Sequence, residues 1–443
     1  MRTSAILLPR VNWATADEAE RARALRRPAM ARRESLAADV AGIIAAVRAE
    51  GDGALRRLTR RYDGVEPGTL RVPPEEFDAA ESALAPEARE AILAAIANVR
   101  RFHALQLRAP LEIETVPGVT CRRITRPIRA VGLYVPAGSA PLPSTVVMLA
   151  VPAALAGCPR RALCTPPRAD GRADPAVLFA ARACGVDEVW LAGGAQAIAA
   201  LAYGTESIAP VDKIFGPGNA WVTEAKQQVA RDPDGAALDL PAGPSEVLVI
   251  ADERAQPHFV AADLLAQAEH GPESQAVLVT PWKWLPDAVE AAVAEQLTSL
   301  PRAAIVRDAL THARAIVTPD LDTAFEASNR YAPEHLVLHV EHPTAWLPRI
   351  EAAGSVFLGW WTPETLGDYC SGTNHVLPTY GHARSCGGLS VEDFQLAITV
   401  QEATPAGLAQ LGPTARILAE LEGLDAHARA VTLRLDALGE TLA

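Results

Sequence analysis

Lysine is nearly missing from this chain of 443 residues: it occurs only at Lys213, Lys226 and Lys283, which leaves Lys213, at a strand end, as the sole candidate for Schiff-base chemistry. Cys121, Cys158, Cys164, Cys184, Cys370 and Cys386 form no C-x-x-C pair and no regular framework, so reduced, mostly buried thiols are expected. Nothing in the sequence supports a nucleophile at Cys121 or Cys158. No cluster of Lys and Arg forms a binding stripe, and a formal charge of -12 with a pI near 5.4 repels phosphate, which argues against a nucleic-acid partner and favours small molecules. No apolar run is long enough for a signal segment or a membrane span. The N-terminal run, Ala5-Ile6-Leu7-Leu8, stops at Pro9, so a cytoplasmic protein with no membrane contact is expected. Repeats of fixed period, low-complexity linkers and the G-x-G-x-x-G dinucleotide fingerprint are also missing.

What is present is apolar and alternating. With 49% hydrophobic residues the chain can bury a large core in more than one domain. Strand-like runs at 130–135, 161–164, 188–192 and 212–215 alternate with Ala-rich helical stretches, the pattern of a parallel sheet covered on both faces. Three of these strands end in Gly-bearing turns: Pro136-Ala137-Gly138-Ser139, Gly193-Gly194-Ala195-Gln196 and Gly216-Pro217-Gly218-Asn219. Such turns at carboxyl ends of strands suit a phosphate-bearing ligand, although glycine there is often only a turn. A second α/β region has strand candidates at 246–250, 275–280, 314–318, 335–340 and 355–358. Residues 33–107 read as mainly helical and are expected to pack on this second sheet. After Gly387-Gly388 short amphipathic helices are expected to the C-terminus.

Tyr331-Ala332-Pro333-Glu334-His335 sets a carboxylate beside an imidazole at a fixed bend, just before the apolar run Leu336-Val337-Leu338. Neighbours in a strand point to opposite faces, so Glu334 and His335 could serve two different proton transfers. A loop Glu and a half-buried core His fit the residues equally well. Gln267 and His270, three apart at the end of a helix stopped by Gly271-Pro272, form half of a metal site or else a partner for the helix dipole. Leu366 to His375 shows no helix or strand period and reads as a functional loop, in which Asp368 could supply a carboxylate and His375 a hydrogen bond. His427 alone reads as a solvated helix residue.

Phe215-Gly-Pro-Gly-Asn219, Ala242-Gly-Pro-Ser-Glu246, Gln267-Ala-Glu-His-Gly-Pro272, Tyr331-Ala-Pro-Glu-His-Leu336, Ser371-Gly-Thr-Asn-His-Val-Leu-Pro-Thr-Tyr-Gly381 and the stretch from Glu422 to Arg434 stand in the order found in histidinol dehydrogenases, a family the chain resembles over nearly its whole length. The resemblance implies a zinc enzyme that oxidises L-histidinol to L-histidine in two NAD-dependent steps through a bound aldehyde, completing histidine biosynthesis. It matches Gln267, His270, Asp368 and His427 to zinc ligands, an acceptable donor set for that metal. Ser245 and Glu422 match substrate contacts, joined in the pocket by His375, His335 and the ligands. Tyr134, Gln196 and Asn219 match contacts to NAD. His335 matches the base for the alcohol, and Glu334 the base that activates water.

The fold so implied has two incomplete Rossmann-like, doubly wound α/β domains with small helical segments at both ends. Its expected divisions are an N-terminal segment 1–27, a first domain of 28–132 with 246–388 carrying the metal and catalytic residues, a second domain 133–245 on the NAD side, and a C-terminal helical module 389–443. A domain-swapped homodimer is expected, with Glu422 and His427 entering the pocket of the other copy. Rival readings are a sibling dehydrogenase acting on another alcohol, a zinc hydrolase using Glu334, and a relative that binds a metabolite without turnover. Retention of Glu422 and His427 favours histidinol over another alcohol.

Overall fold

Runs such as Glu246–Ala251 and Ala130–Tyr134 show little polar alternation, so both faces of each strand need cover, which helices on either side of a parallel sheet supply. The computed structural model of the protein, in which residues 8–28, 34–137, 140–241 and 243–441 are described, builds two such sheets. Gly138 and Ser139 of the first Gly-bearing turn, Ala242, and residues 5–7 of the N-terminal apolar run lie outside the described residues. One sheet has six strands in the order Arg10–Asn12, Arg314–Val317, Gln275–Thr280, Glu246–Ala251, His335–His339 and Ser355–Leu358. The other has five, in the order Glu188–Leu191, Arg160–Thr165, Ala130–Tyr134, Lys213–Phe215 and Ala237–Leu238. All neighbours in both are parallel. Central positions are completely buried: Val247, Leu248, Val249 and Ile250 have no exposed surface, and each such side chain is worth about 1.5–3 kcal/mol.

The strands expected in these two regions form within a residue or two, but the N-terminal helices do not pack where expected. Val40, Ile43, Ile44 and Leu55 share a core with Ile198, Leu201 and Val222, and Ile96 and Val99 share one with Val147 and Leu178. Residues 34–104 therefore cover the helices of the five-stranded sheet. The reason lies in those helices. Pro143–Ala156 and Gly194–Tyr203 are apolar on every side, so after covering the sheet they still present an outer face that needs a second layer.

A third, antiparallel sheet was not legible in the sequence. Leu111–Val116 and Val119–Pro127 form a hairpin turning at Gly118, whose φ is +83°, and Gln395–Ala403 pairs with the second strand where helix was expected. Its apolar residues, Leu111, Ile113, Leu396 and Ile398 among them, remain exposed, so no buried face imposes a clean alternation on the sequence. The helices Pro405–Leu421 and Asp425–Thr441 follow as expected. Among the described residues no helix is long and apolar enough to cross a membrane.

Gly216 ends the strand Lys213–Phe215 with φ +124°, and a Cβ there would lie 2.1 Å from the carbonyl oxygen of Tyr134 in the adjacent strand. Both atoms belong to sheet backbone, which has little room to yield. Gly216→Ala is expected to lower stability by about 2–4 kcal/mol. Urea unfolding checks this, and an unchanged midpoint would contradict the strain.

Candidate active site

A cavity of about 430 Å³ lies where the carboxyl edge of the five-stranded sheet meets the amino edge of the six-stranded one. Tyr134 and the turn Pro217–Asn219 come from the first, and Ser245, Glu334 and His335 from the second. The short helix Glu364–Tyr369 and the segment from His375 to Thr379 close another side.

The bend before the dyad is built by conformation. Ala332 ends the helix Leu321–Tyr331 in the left-handed region at φ +54°, uncommon for a residue with a Cβ, and Pro333 then forces extended chain into His335–His339. Glu334 and His335 are both buried. The Glu246 N–H donates to Glu334 Oε2 at 2.9 Å, and His335 Nδ1 lies 3.2 Å from the Glu246 carbonyl, to which its N–H donates. Gln267, fully buried behind the cavity wall, has its amide nitrogen 3.1 Å from both Glu364 Oε1 and the Glu246 carbonyl, which use its two protons. His335 Nε2 is left buried with no hydrogen-bond partner, 3.6 Å from Asp368 Oδ1.

Three carboxylates thus crowd one imidazole. Burial pushes Glu334 up to about 8 and Glu364 likewise up to about 8. For His335, burial works against the charged form, but Glu364, Glu334 and Asp368 outweigh it and raise its proton affinity. Asp368 is lowered overall: burial opposes its charge, while the nearby His335, His375 and His270 favour it. His375 is lowered by burial, against the pull of Asp368; His270, although its side chain is 45% exposed, is lowered as well, by partial burial and by His335 and His375, which disfavour its charge. Donor atoms of His270, Glu364 and Asp368 lie within 4.8 Å of one another, and Glu364 Oε2 is buried without a partner. An excess of carboxyl groups over one imidazole, an orphaned oxygen and clustered N and O donors together fit a divalent cation, whose charge would favour the ionised carboxylates.

Of the residues singled out in the sequence, Ser245, His270, Glu334, His335, Asp368 and His375 line this one cavity, with Gln267 directly behind it. His375 donates from Nδ1 to the Asp368 carbonyl at 2.7 Å. Tyr134, Gln196 and Asn219 line an adjoining cavity of about 400 Å³, and Tyr134 and Asn219 border both. There the Gly194 N–H donates to the Tyr134 hydroxyl at 3.0 Å, and Asn219 Oδ1 caps the helix Ala220–Arg231. The positive φ of Gly194, +60°, brings bare backbone to this wall, a cradle suited to a dinucleotide. Glu422 and His427 line neither cavity; they stand exposed on the C-terminal arm.

Glu364 was missed, and so was the helix that carries it, because six residues are too few to show a period. Its spacing of four from Asp368, just after Pro363, was the available signal.

A family model described as histidinol dehydrogenase matches residues 25–435. The chain is 57% identical over 425 residues to the histidinol dehydrogenase of Xanthomonas euvesicatoria pv. vesicatoria (strain 85-10), covering 96% of this chain and 98% of that one. It is 53% identical over 428 residues to that of Vibrio parahaemolyticus serotype O3:K6, covering 97% and 98%. The crystal structure of histidinol dehydrogenase from Elizabethkingia anophelis superposes with a TM-score of 0.94 at 44% identity, covering 98% of this chain and all of that one.

Behind the dyad lies an ion pair that the sequence did not reveal. Arg27 grips the Glu246 carboxylate through Nε at 2.5 Å and Nη2 at 2.8 Å, donates to the Tyr331 carbonyl at 2.7 Å, and lies 3.9 Å from the centre of the Tyr331 ring. Only 2% of the Glu246 side chain is exposed, so losing Arg27 would strand a buried charge. Arg27→Met is expected to cost about 3–5 kcal/mol of stability. Denaturant unfolding measures it, and a loss below about 1 kcal/mol, as for a surface pair, would show that the pair is dispensable.

Proposed function

The chain belongs to the histidinol dehydrogenase family, and from that premise we propose that it oxidises L-histidinol through L-histidinaldehyde to L-histidine in the cavity between its two sheets. The observation that carries the assignment of roles is the unpartnered Nε2 of His335, set in the wall of that cavity while Nδ1 is engaged behind it. In its unprotonated form, a nitrogen so held can take the hydroxyl proton as the alcohol carbon loses hydride. Glu334, whose burial raises its proton affinity, takes a proton from the water that adds to the aldehyde before the second hydride leaves. NAD, held by Tyr134, Gln196 and Asn219, supplies the hydride acceptor for both steps.

Gln267, His270 and Asp368, with the partner's His427, would hold zinc, whose charge orients the ring and amine nitrogens of the substrate. The carboxylate surplus around His335 and the clustered donors of His270 and Asp368 support a cation at this place. Ser245 and His375 contact the substrate from this chain, and Glu422 from the other copy.

The active form is a cytoplasmic homodimer with exchanged C-terminal arms. Support comes from apolar surface that one chain leaves open: Leu418 is 55% exposed, Leu421 79% and Leu424 41%, on the arm that carries Glu422 and His427. Burying those side chains against a second copy would bring both polar residues to an interface.

Absorbance of reduced nicotinamide should rise by two equivalents per histidinol consumed, whereas a hydrolase would give no rise. His335→Ala should slow the alcohol step by roughly 10²–10⁴-fold, and Glu334→Gln should mainly impair the aldehyde step. Single-turnover kinetics on each substrate separates these, and equal losses in both steps would undo the division of roles. Mixing inactive His427→Ala and His335→Ala dimers under subunit exchange should restore part of the activity. No recovery despite proven exchange would count against shared sites.

A further inference from the structure

In a dinucleotide-binding unit the turn after the first strand faces the pyrophosphate, and an acidic residue at the end of the second takes the 2′-hydroxyl of the adenosine ribose. Here the corresponding first strand is Ala130–Tyr134 and its parallel neighbour is Arg160–Thr165, which runs into Pro166-Pro167-Arg168. That end carries no acid. A carboxylate comes instead from outside the sheet: Asp63, the last residue of the helix Asp52–Asp63, lines the same cavity as Pro166, Tyr134, Gln196 and Asn219. Gly64, at φ +75°, ends the helix there.

Asp63 is half-buried in the cavity wall; its Oδ2 has almost no exposed surface and accepts no hydrogen bond. Burial pushes the carboxyl up to about 6, the mark of a charge placed without a donor. An acceptor left in this state costs the folded protein free energy that a ligand with hydroxyl donors would return. A vicinal diol is such a ligand, since it offers two O–H groups to one carboxylate. A 2′-phosphate is the opposite: a second anion forced against the first, while the exposed Arg168, in the neighbouring cavity that shares Asp63 and Pro166, is paired with Asp170 at 4.0 Å.

We propose that Asp63 binds the adenosine ribose hydroxyls of NAD and makes the enzyme reject NADP, taking the place of the acid that the second strand lacks. The inference rests on the reading of this cavity as the nucleotide side of the site. Equilibrium fluorescence titration of the full-length dimer with NADH, NADPH and 2′-deoxy-NADH tests it, beside thermal unfolding of the free protein. In the wild type, NADH should bind well ahead of both analogues. In Asp63→Asn, NADH affinity should fall on the order of ten- to hundredfold, and most of the preference over 2′-deoxy-NADH and NADPH should vanish. The free variant should melt no lower than the wild type, because an orphaned charge has been removed, while the stabilisation given by NADH shrinks.

Asp63→Ser repeats the test with a smaller side chain. If either variant folds, keeps NADH affinity within twofold and still discriminates against NADPH, the proposal is overturned. A Gln196→Ala control separates the two levels of inference. If it too binds NADH like the wild type, the cavity is not the nucleotide site; if it binds weakly while Asp63→Asn does not, the error lies with Asp63 alone.

Discussion

Glu246 is the residue on which the site is hung. Its N–H holds Glu334, its carbonyl receives His335 and Gln267, and its carboxylate is anchored by Arg27. One main-chain unit at the start of the strand Glu246–Ala251 thus fixes both halves of the dyad and the amide behind them. The left-handed Ala332 is held by the same hand, since Arg27 also bonds the carbonyls of Tyr331 and Ala332. Strain of about 1–3 kcal/mol at such a residue persists only where its surroundings over-determine it. The buried ion pair supplies that determination.

The sheets meet in an unusual sense. Open α/β sheets hold ligands at their carboxyl edges, and the five-stranded sheet offers that edge, with its Gly-bearing turns, to the shared cavity. The six-stranded sheet offers its amino edge. Strand starts suit acid–base groups because the side chains leave a backbone already fixed by ladder bonds on both sides: His335 is in register with Val247 on one neighbour and Ser355 on the other. A carbinol carbon at the junction could therefore face a nicotinamide from one sheet and a proton acceptor from the other, with neither sheet deforming.

Local pattern carried most of the fold and much of the site. Apolar runs and Gly-bearing turns located both parallel sheets, whereas Glu334-His335, Gln267 with His270, and Asp368 stood out by residue type and spacing with structural readings still open until the family resemblance joined them. What stayed hidden depends on partners distant in the chain. Arg27 and Glu246 lie 219 residues apart, and nothing local marks either as half of an ion pair. The placement of residues 34–104 depended on which sheet's helices were apolar all round, a property of the acceptor rather than of the segment. The strands at 111–127 and 395–403 lack a buried face in a single chain, so the signal that reveals strands had no cause to be there.

Several of the polar groups that the fold leaves unsatisfied gather near the two cavities. His335 Nε2 is unpartnered in the wall of one cavity with Glu364 Oε2 unpartnered near the same imidazole, and Asp63 Oδ2 is unpartnered at the next cavity, while Leu421 and its neighbours leave the arm's apolar surface open. Each orphaned buried group costs about 1–3 kcal/mol, so several near two adjoining cavities would be a poor arrangement for a protein whose only task was to fold. The cost is recovered if a cation meets the carboxylates, a diol meets Asp63, and a second copy covers the arm. Stability and ligand binding would then be linked, with substrate, cofactor and partner each raising the unfolding temperature by satisfying groups the fold leaves open.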